Sequence, residues 1–207
     1  MNDTILELKN VTKHFGGVIA NDNISIKAKE GEIVGLVGPN GCGKTTLFNC
    51  ISGFLLPTQG HIFFYGDEIT GRKPYDICKM GIARTFQLVK MLPELTVLEN
   101  IMVGAFCRTN SINTARCIAE ETMEFVDFQS LNEMKNCKAR HLTTVDKKLL
   151  EIMRAVATQP KLLMLDEAMA GLNSSEIKQT LDTIKKLRGK GITIILIEHI
   201  MEVIMNI

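Results

Sequence analysis

The chain has 207 residues, with 24 Lys and Arg against 23 Asp and Glu, giving a formal net charge of +1. That balance gives no support for the clustered basic excess a nucleic-acid surface needs, and 45% apolar with 23% charged residues excludes wholesale disorder. No window approaches the roughly 18 uninterrupted apolar residues of a membrane span, and the acid-bearing start Met1-Asn2-Asp3-Thr4 lacks a secretory core, so neither is expected.

From the N-terminus, Ile5-Leu6-Glu7-Leu8 and Ile24-Ser25-Ile26-Lys27 alternate apolar and polar residues, as half-buried strands do. Turn chemistry separates them at Phe15-Gly16-Gly17 and Glu30-Gly31, and His61 to Tyr65 repeats the pattern between Gly60 and Gly66. This part is expected to be antiparallel β-structure. Three runs differ: Ile33 to Val37, Leu162 to Leu165 and Ile192 to Ile197 are near-continuously apolar, the signature of strands covered on both faces in a parallel sheet. Between the last two, Ile177, Leu181, Ile184 and Leu187 share a helical face, with Gly189 and Gly191 as stop signals, so a βαβ unit is predicted. From about Pro93 to Ala139 the period is helical, with Ile118, Thr122, Phe125 and Val126 recurring; a helical lobe inserted into an α/β core is expected there.

Six scattered cysteines (Cys42, Cys50, Cys78, Cys107, Cys117, Cys137) form no C-x-x-C pair. That spacing argues against zinc and against a disulfide framework, leaving reduced thiols as the expectation.

After the first buried run comes Gly38-Pro39-Asn40-Gly41-Cys42-Gly43-Lys44-Thr45-Thr46, which satisfies G-x-x-x-x-G-K-[ST] between a strand and a helix. Its glycines let backbone N–H groups converge on phosphate oxygens at a helix N-terminus. Lys44 is placed to reach the outer phosphates and Thr45 to bind Mg²⁺. The second run ends in Asp166-Glu167, at the strand edge where parallel sheets bind ligands; an Asp there suits Mg²⁺ and a Glu suits polarising water. The third ends in Glu198-His199, and Gln87 closes Gly81-Ile82-Ala83-Arg84-Thr85-Phe86-Gln87 as a sensor of Mg²⁺ or the terminal phosphate.

In this order the elements resemble, over the whole chain, the ATP-binding-cassette ATPase domain, a P-loop fold with a mostly parallel sheet. The closest resemblance is to the ATP-binding subunit of branched-chain amino-acid importers, carried by Gly81 to Gln87, Glu94 to Ile101, Ala170-Gly171-Leu172-Asn173 and Ile197-Glu198-His199. The resemblance implies ATP and Mg²⁺ as ligands, with Phe15 stacking on adenine. Gly38 to Thr46 and Gln87 would hold the nucleotide. Thr45, Gln87 and Asp166 would hold the metal, and Lys44, Glu167 and His199 would act in catalysis. It implies a head-to-tail pair with an identical or paralogous subunit, each ATP clamped between one chain's phosphate loop and the other's signature motif. Membrane permease subunits would meet Gln87 and Leu88 to Leu92, on the cytoplasmic face of the plasma membrane; no nucleic-acid partner is expected.

The chain departs from the family pattern at its signature motif. Where relatives carry L-S-G-G-Q or L-S-Y-G-Q, it has Leu142-Thr143-Thr144-Val145-Asp146. Thr143 can cap a helix with Asp146 as partner, but Val145 stands where Gly permits close backbone approach, and a β-branched residue resists positive φ. Ala168 and Ile200 replace the usual Pro and Asp, and Asn173 stands where many cassettes have Asp. Cys42, at a helix N-terminus, is read first as a small residue of the loop and second as a reactive thiol. The family continues past His199 with further strands and a helix, so marginal stability is expected. The leading expectation is an ATP-hydrolysing importer subunit. A nucleotide-holding, weakly or non-hydrolysing half of an asymmetric pair is the alternative. A small-molecule P-loop kinase is disfavoured by the paired acids at positions 166 and 167.

Overall fold

In a computed structural model of the chain, residues 3–87 and 91–198 are described. An antiparallel sheet is built first. Strands β1 (Thr4–Phe15) and β2 (Val18–Lys29) close a two-residue hairpin at Gly16-Gly17, with Gly16 at φ +57°, the left-handed backbone such tight turns require. The sheet is completed by β4 (Gln59–Phe64) and β5 (Asp67–Glu68), in the order β2-β1-β4-β5.

The second sheet is parallel and runs β3-β8-β7-β6, from β3 (Ile33–Leu36), β6 (Ile82–Arg84), β7 (Leu162–Asp166) and β8 (Thr193–Ile197). Every residue of β7 and β8 is buried, as the unbroken apolar runs lead one to expect. The pleat sends their side chains to two different cores. Leu163, Leu165, Ile194 and Leu196 join a cluster with α3 (Val97–Ala105), α4 (Ile112–Val126), α6 (Thr144–Val156) and α7 (Ser174–Gly189). Leu162, Met164, Ile195 and Ile197 face the antiparallel sheet, α1 (Lys44–Ile51) and α2 (Pro74–Met80). The parallel sheet is therefore the middle layer, which leaves the C-terminal ends of its strands open for chemistry.

Helix α7 joins β7 to β8, the expected βαβ unit, and Asn173 with Glu176 forms a reciprocal capping box at its start. Gly189 is the last helical residue rather than a residue beyond the end; the turn is made at Gly191, φ +84°. In residues 93–139 lie α3, α4 and a short α5 (Gln129–Glu133), followed by a 3-10 turn at Ala139–His141. The buried stripe of α4 is Ala115, Ala119, Thr122, Met123 and Val126; Ile118 and Phe125 pack at its rim. Helix α3 lies flush on α6 at Gly104, where an added Cβ would come within 2.1 Å of the Arg154 carbonyl oxygen.

Candidate functional site

The chain turns from β3 into α1 through the glycine-rich loop. Gly41 and Gly43 adopt φ +80° and +91°, and a Cβ on Gly43 would lie 2.0 Å from the Ala20 carbonyl oxygen. Glycine at position 43 is therefore required by conformation and by contact with β2 alike. Asn21 of β2 donates its amide to the Gly43 carbonyl at 3.1 Å, fastening the loop to the antiparallel sheet. The Lys44 ammonium curls over the loop and donates to the carbonyls of Gly38 at 2.6 Å and Pro39 at 2.9 Å, and lies 3.7 Å from the Cys42 sulfur. Pro39, Asn40, Gly41 and Cys42 are exposed, and Thr45 and Thr46 are half-buried on the first turn of α1. Phe15, at the hairpin end of β1, is exposed beneath the Lys13 ammonium, 5.1 Å from its ring.

Two strands away, β7 delivers Asp166 and Glu167. Thr45 Oγ1 donates to Asp166 Oδ1 at 3.4 Å, so the loop's hydroxyl and the strand's carboxylate share one spot. The other carboxylate oxygen is taken by Arg84 of β6, whose Nη2 donates to Oδ2 at 2.9 Å. Arg84 is itself fixed: its Nη1 donates to Asn49 Oδ1 and Ser52 Oγ, and its guanidinium lies between the rings of Phe48 and Phe86. Burial pushes the Asp166 carboxyl above the usual carboxylate range, against the pull of Arg84. Thr85 completes the frame by accepting the Asp166 N–H at 3.1 Å.

Glu167 leaves the strand in the left-handed region at φ +50°, with its N–H held by the Ile197 carbonyl. Left-handed backbone on a non-glycine residue is uncommon and marks a constrained position. Its side chain accepts from Gln87 Nε2 at 3.0 Å, so the closing residue of the Gly81-to-Gln87 stretch meets the second acid of β7 directly. Lys148 of α6 donates to the carbonyls of Glu167 and Ala170, tying α6 to this loop. Glu198, at the end of β8, is buried and accepts from the Met169 N–H. His199, Ile200 and Leu88 to Lys90 lie outside the described residues.

At the signature stretch, Thr143 caps α6: the Asp146 N–H donates to its hydroxyl, and that hydroxyl donates to Asp146 Oδ2 at 2.7 Å. Ser130 also donates to this buried Asp. Val145 sits within the first turn of α6, partly packed against the helical core, and is absent from the residues with positive φ. The backbone thus makes no demand for glycine at position 145, contrary to the expectation from the family pattern; only the bulk of the side chain distinguishes it.

A pocket of about 340 Å³ opens between α2, β6, α3 and α6, lined by Phe54, Tyr75, Phe86, Val103, Glu151 and Arg154 among others. Burial pushes the Glu151 carboxyl upward, and the Phe86 N–H donates to it at 3.1 Å.

Of the residues expected from sequence, the fold brings Lys44, Thr45, Asp166, Glu167 and Gln87 to one crevice. Arg84, Asn21 and Lys148 were not singled out. Arg84 carried a faint signal, as a cation inside an apolar strand ending at the crevice. The other two carry none, because their partners are remote in sequence.

The sequence profile of the ABC transporter family matches residues 21–170. The chain is 38% identical to the high-affinity branched-chain amino acid transport ATP-binding protein BraF of Pseudomonas aeruginosa, over 100% of this chain and 86% of BraF. It is 39% identical to LivG of Escherichia coli at the same coverage, a protein of the same description. Among solved structures it resembles MJ1267, an ATP-binding cassette of an ABC transporter in its ADP conformation, with TM-score 0.84 and 34% identity, covering 98% of this chain and 84% of that one. It also resembles the dimeric cassette MJ0796, with TM-score 0.88 and 27% identity, covering 98% and 91%.

Proposed function

The chain belongs to the ABC transporter family of ATP-binding cassettes, and from that premise we propose that it is the ATP-hydrolysing subunit of an importer of branched-chain or other amino acids. One observation carries the reading: from three strand ends, Thr45 meets Asp166 and Gln87 meets Glu167 in one crevice, with Lys44 on the loop beside Thr45. Incoming phosphates take over the Lys44 ammonium from the Gly38 and Pro39 carbonyls, exchanging neutral acceptors for charged ones. Loop N–H groups at the start of α1 bind the phosphate oxygens, and Phe15 offers an exposed ring to adenine.

The oxygen donors of Thr45 and Asp166 suit a hard divalent cation that takes its other ligands from phosphates and water; no larger cluster of acids and imidazoles occurs among the described residues. Thr45, Asp166 and Gln87 would hold Mg²⁺, which there neutralises phosphate charge. Glu167 accepts the proton of the attacking water, and Gln87 orients its carboxylate through the 3.0 Å contact. His199 is assigned to the transferring phosphoryl group by family resemblance.

The dimeric relative supports pairing, and the family resemblance makes the pair head-to-tail, with Thr143 and the start of α6 facing the partner's nucleotide. The pocket beside Phe86 lies on the surface we assign to the permease, with residues 93–139 as an inserted lobe. No helix among the described residues is long and apolar enough to cross a membrane, which suits a subunit held at the cytoplasmic face by its permeases.

Glu167→Gln tests the reading. ATP binding should persist while phosphate release falls by about 100-fold or more, the range of a lost general base; turnover within threefold of wild type would count against it. A second reading, a weakly hydrolysing half of an asymmetric pair, is favoured by the bulk of Val145. It expects Val145→Gly to release phosphate at least about tenfold faster, a barrier change of about 1.4 kcal/mol.

A further inference from the structure

Away from the crevice, the sulfurs of Cys78 and Cys107 lie 3.5 Å apart. Cys78 sits in the last turn of α2, and Cys107 follows the end of α3, its N–H on the Gly104 carbonyl. The neighbouring Arg108 already ties the two backbones. It donates to the carbonyl of Lys79 at 2.8 Å and of Cys78 at 3.4 Å, while its Nε holds Thr158, just past α6. Both thiols are half-buried rather than enclosed, and Cys78 lines the open pocket, where a small solute can enter. Bonding requires the sulfurs to close from 3.5 Å to about 2.05 Å, a shift that side-chain rotation and the turn after α3 can supply.

We propose that Cys78 and Cys107 form a reversible disulfide, a modification site for a two-electron oxidant of the hydroperoxide class. With Cys78 held inside the last turn of α2 as the resolving thiol, the first attack is assigned to Cys107, on the turn just past α3. Its sulfur takes one peroxide oxygen, the O–O bond breaks, and one water leaves. The Cys78 sulfur then attacks the sulfenic sulfur of Cys107; the S–S bond forms, the S–O bond breaks, and hydroxide departs with the Cys78 proton as a second water. Two thiols lose two electrons and two protons, and hydrogen peroxide gains both. The bond joins the last turn of α2 to the turn after α3, and the loop it closes, residues 79–106, encloses β6, Arg84 and Gln87.

The test uses the full chain, treated with hydrogen peroxide and mapped by mass spectrometry without reduction. Expected are linked peptides containing Cys78 and Cys107, about 2 Da lighter than the sum of the two thiol peptides and separated by dithiothreitol. The thermal midpoint should rise by about 3 °C or more on oxidation, as expected for a cross-link that restricts the unfolded chain. Cys78→Ser and Cys107→Ser should show no such rise. Peroxide that leaves both thiols free, takes either to sulfinic acid, or pairs either with another cysteine overturns the proposal. So does the linked pair without a rise in midpoint. Should the serine variants fail to fold, the wild-type peptide map decides alone.

Discussion

Arg84 and Asp166 meet at 2.9 Å across adjacent parallel strands, Asp166 lying two positions beyond Met164, the register partner of Arg84, with side-chain exposures of 5% and 0%. Burial opposes the charge on both: it pushes the Asp166 carboxyl up and the Arg84 guanidinium down, while their mutual contact pulls each back. A buried pair of this kind adds little net stability over an apolar pair, but it is costly to break from one side. Its second effect is orientational. By occupying Oδ2, Arg84 leaves Oδ1 as the oxygen turned toward Thr45.

Arg84→Met therefore strands Asp166 as an unpaired buried charge. The expected loss in a urea titration is about 3–5 kcal/mol, with much of it regained in Arg84→Met/Asp166→Asn, where neither charge remains. A single-variant loss below about 1 kcal/mol would mean that water already shares the site.

Two of the phosphate-loop glycines, Gly41 and Gly43, separate steric contact from backbone strain. Gly43→Ala brings a Cβ against the Ala20 carbonyl, so nucleotide binding should be abolished and the loop displaced from β2. At Gly41 a Cβ meets nothing within 4 Å, so Gly41→Ala carries only the left-handed backbone cost, about 1 kcal/mol. Calorimetric ADP titration of both variants tests the contrast; equal losses would show that space at position 43 is irrelevant.

Gly104→Ala is expected to wedge α3 away from α6 and to cost about 1–3 kcal/mol by overpacking, although Ala favours helix more than Gly does. A gain in stability, which helix propensity alone predicts, would refute the flush contact.

Stability should fall on the acid side. The Thr96 N–H and hydroxyl hold the Glu99 carboxyl below its ordinary range, and Lys27, His61 and Lys138 do the same for Glu7, Glu68 and Glu94. A depressed folded pKa means the unfolded chain binds protons more readily. The contribution is therefore present above the ordinary carboxylate pKa and lost as pH falls through the depressed value. Asp166 and Glu151, raised by burial, act with the opposite sign: their contribution fades as pH rises through their folded pKa. Thermal midpoints between pH 3 and 7, on the order of the carboxylate range, should drop toward acid in the wild type. The slope should be shallower in Glu99→Gln; an unchanged slope removes Glu99 from the account.

Much of this was legible in the chain itself, because periodicity and glycine spacing are local. The apolar runs ending at Asp166 and Glu198 gave the parallel strands, and Gly38 to Thr46 gave the loop between β3 and α1. What stayed hidden was set by contacts between distant segments. Arg84 reaches Asp166 across 82 positions, and no local pattern announces that pairing. Gly104 reads as an ordinary helix flaw until α6 lies against it. Val145 misled in the other direction. Its neighbours in the family implied a special backbone, whereas here it takes part in an ordinary first helical turn.

The register of the parallel sheet carries one more meaning. Leu36, Ile197 and Asp166 lie in one row across β3, β8 and β7, and each strand hands its chain to the crevice immediately beyond that row. A slip by one residue turns Asp166 to the opposite face and withdraws it from Thr45. Alignment of Asp166 with Thr45 is thus the same event as zipping the sheet. Heating should extinguish ADP binding and near-ultraviolet tertiary signal on a single curve, and refolding should restore both together.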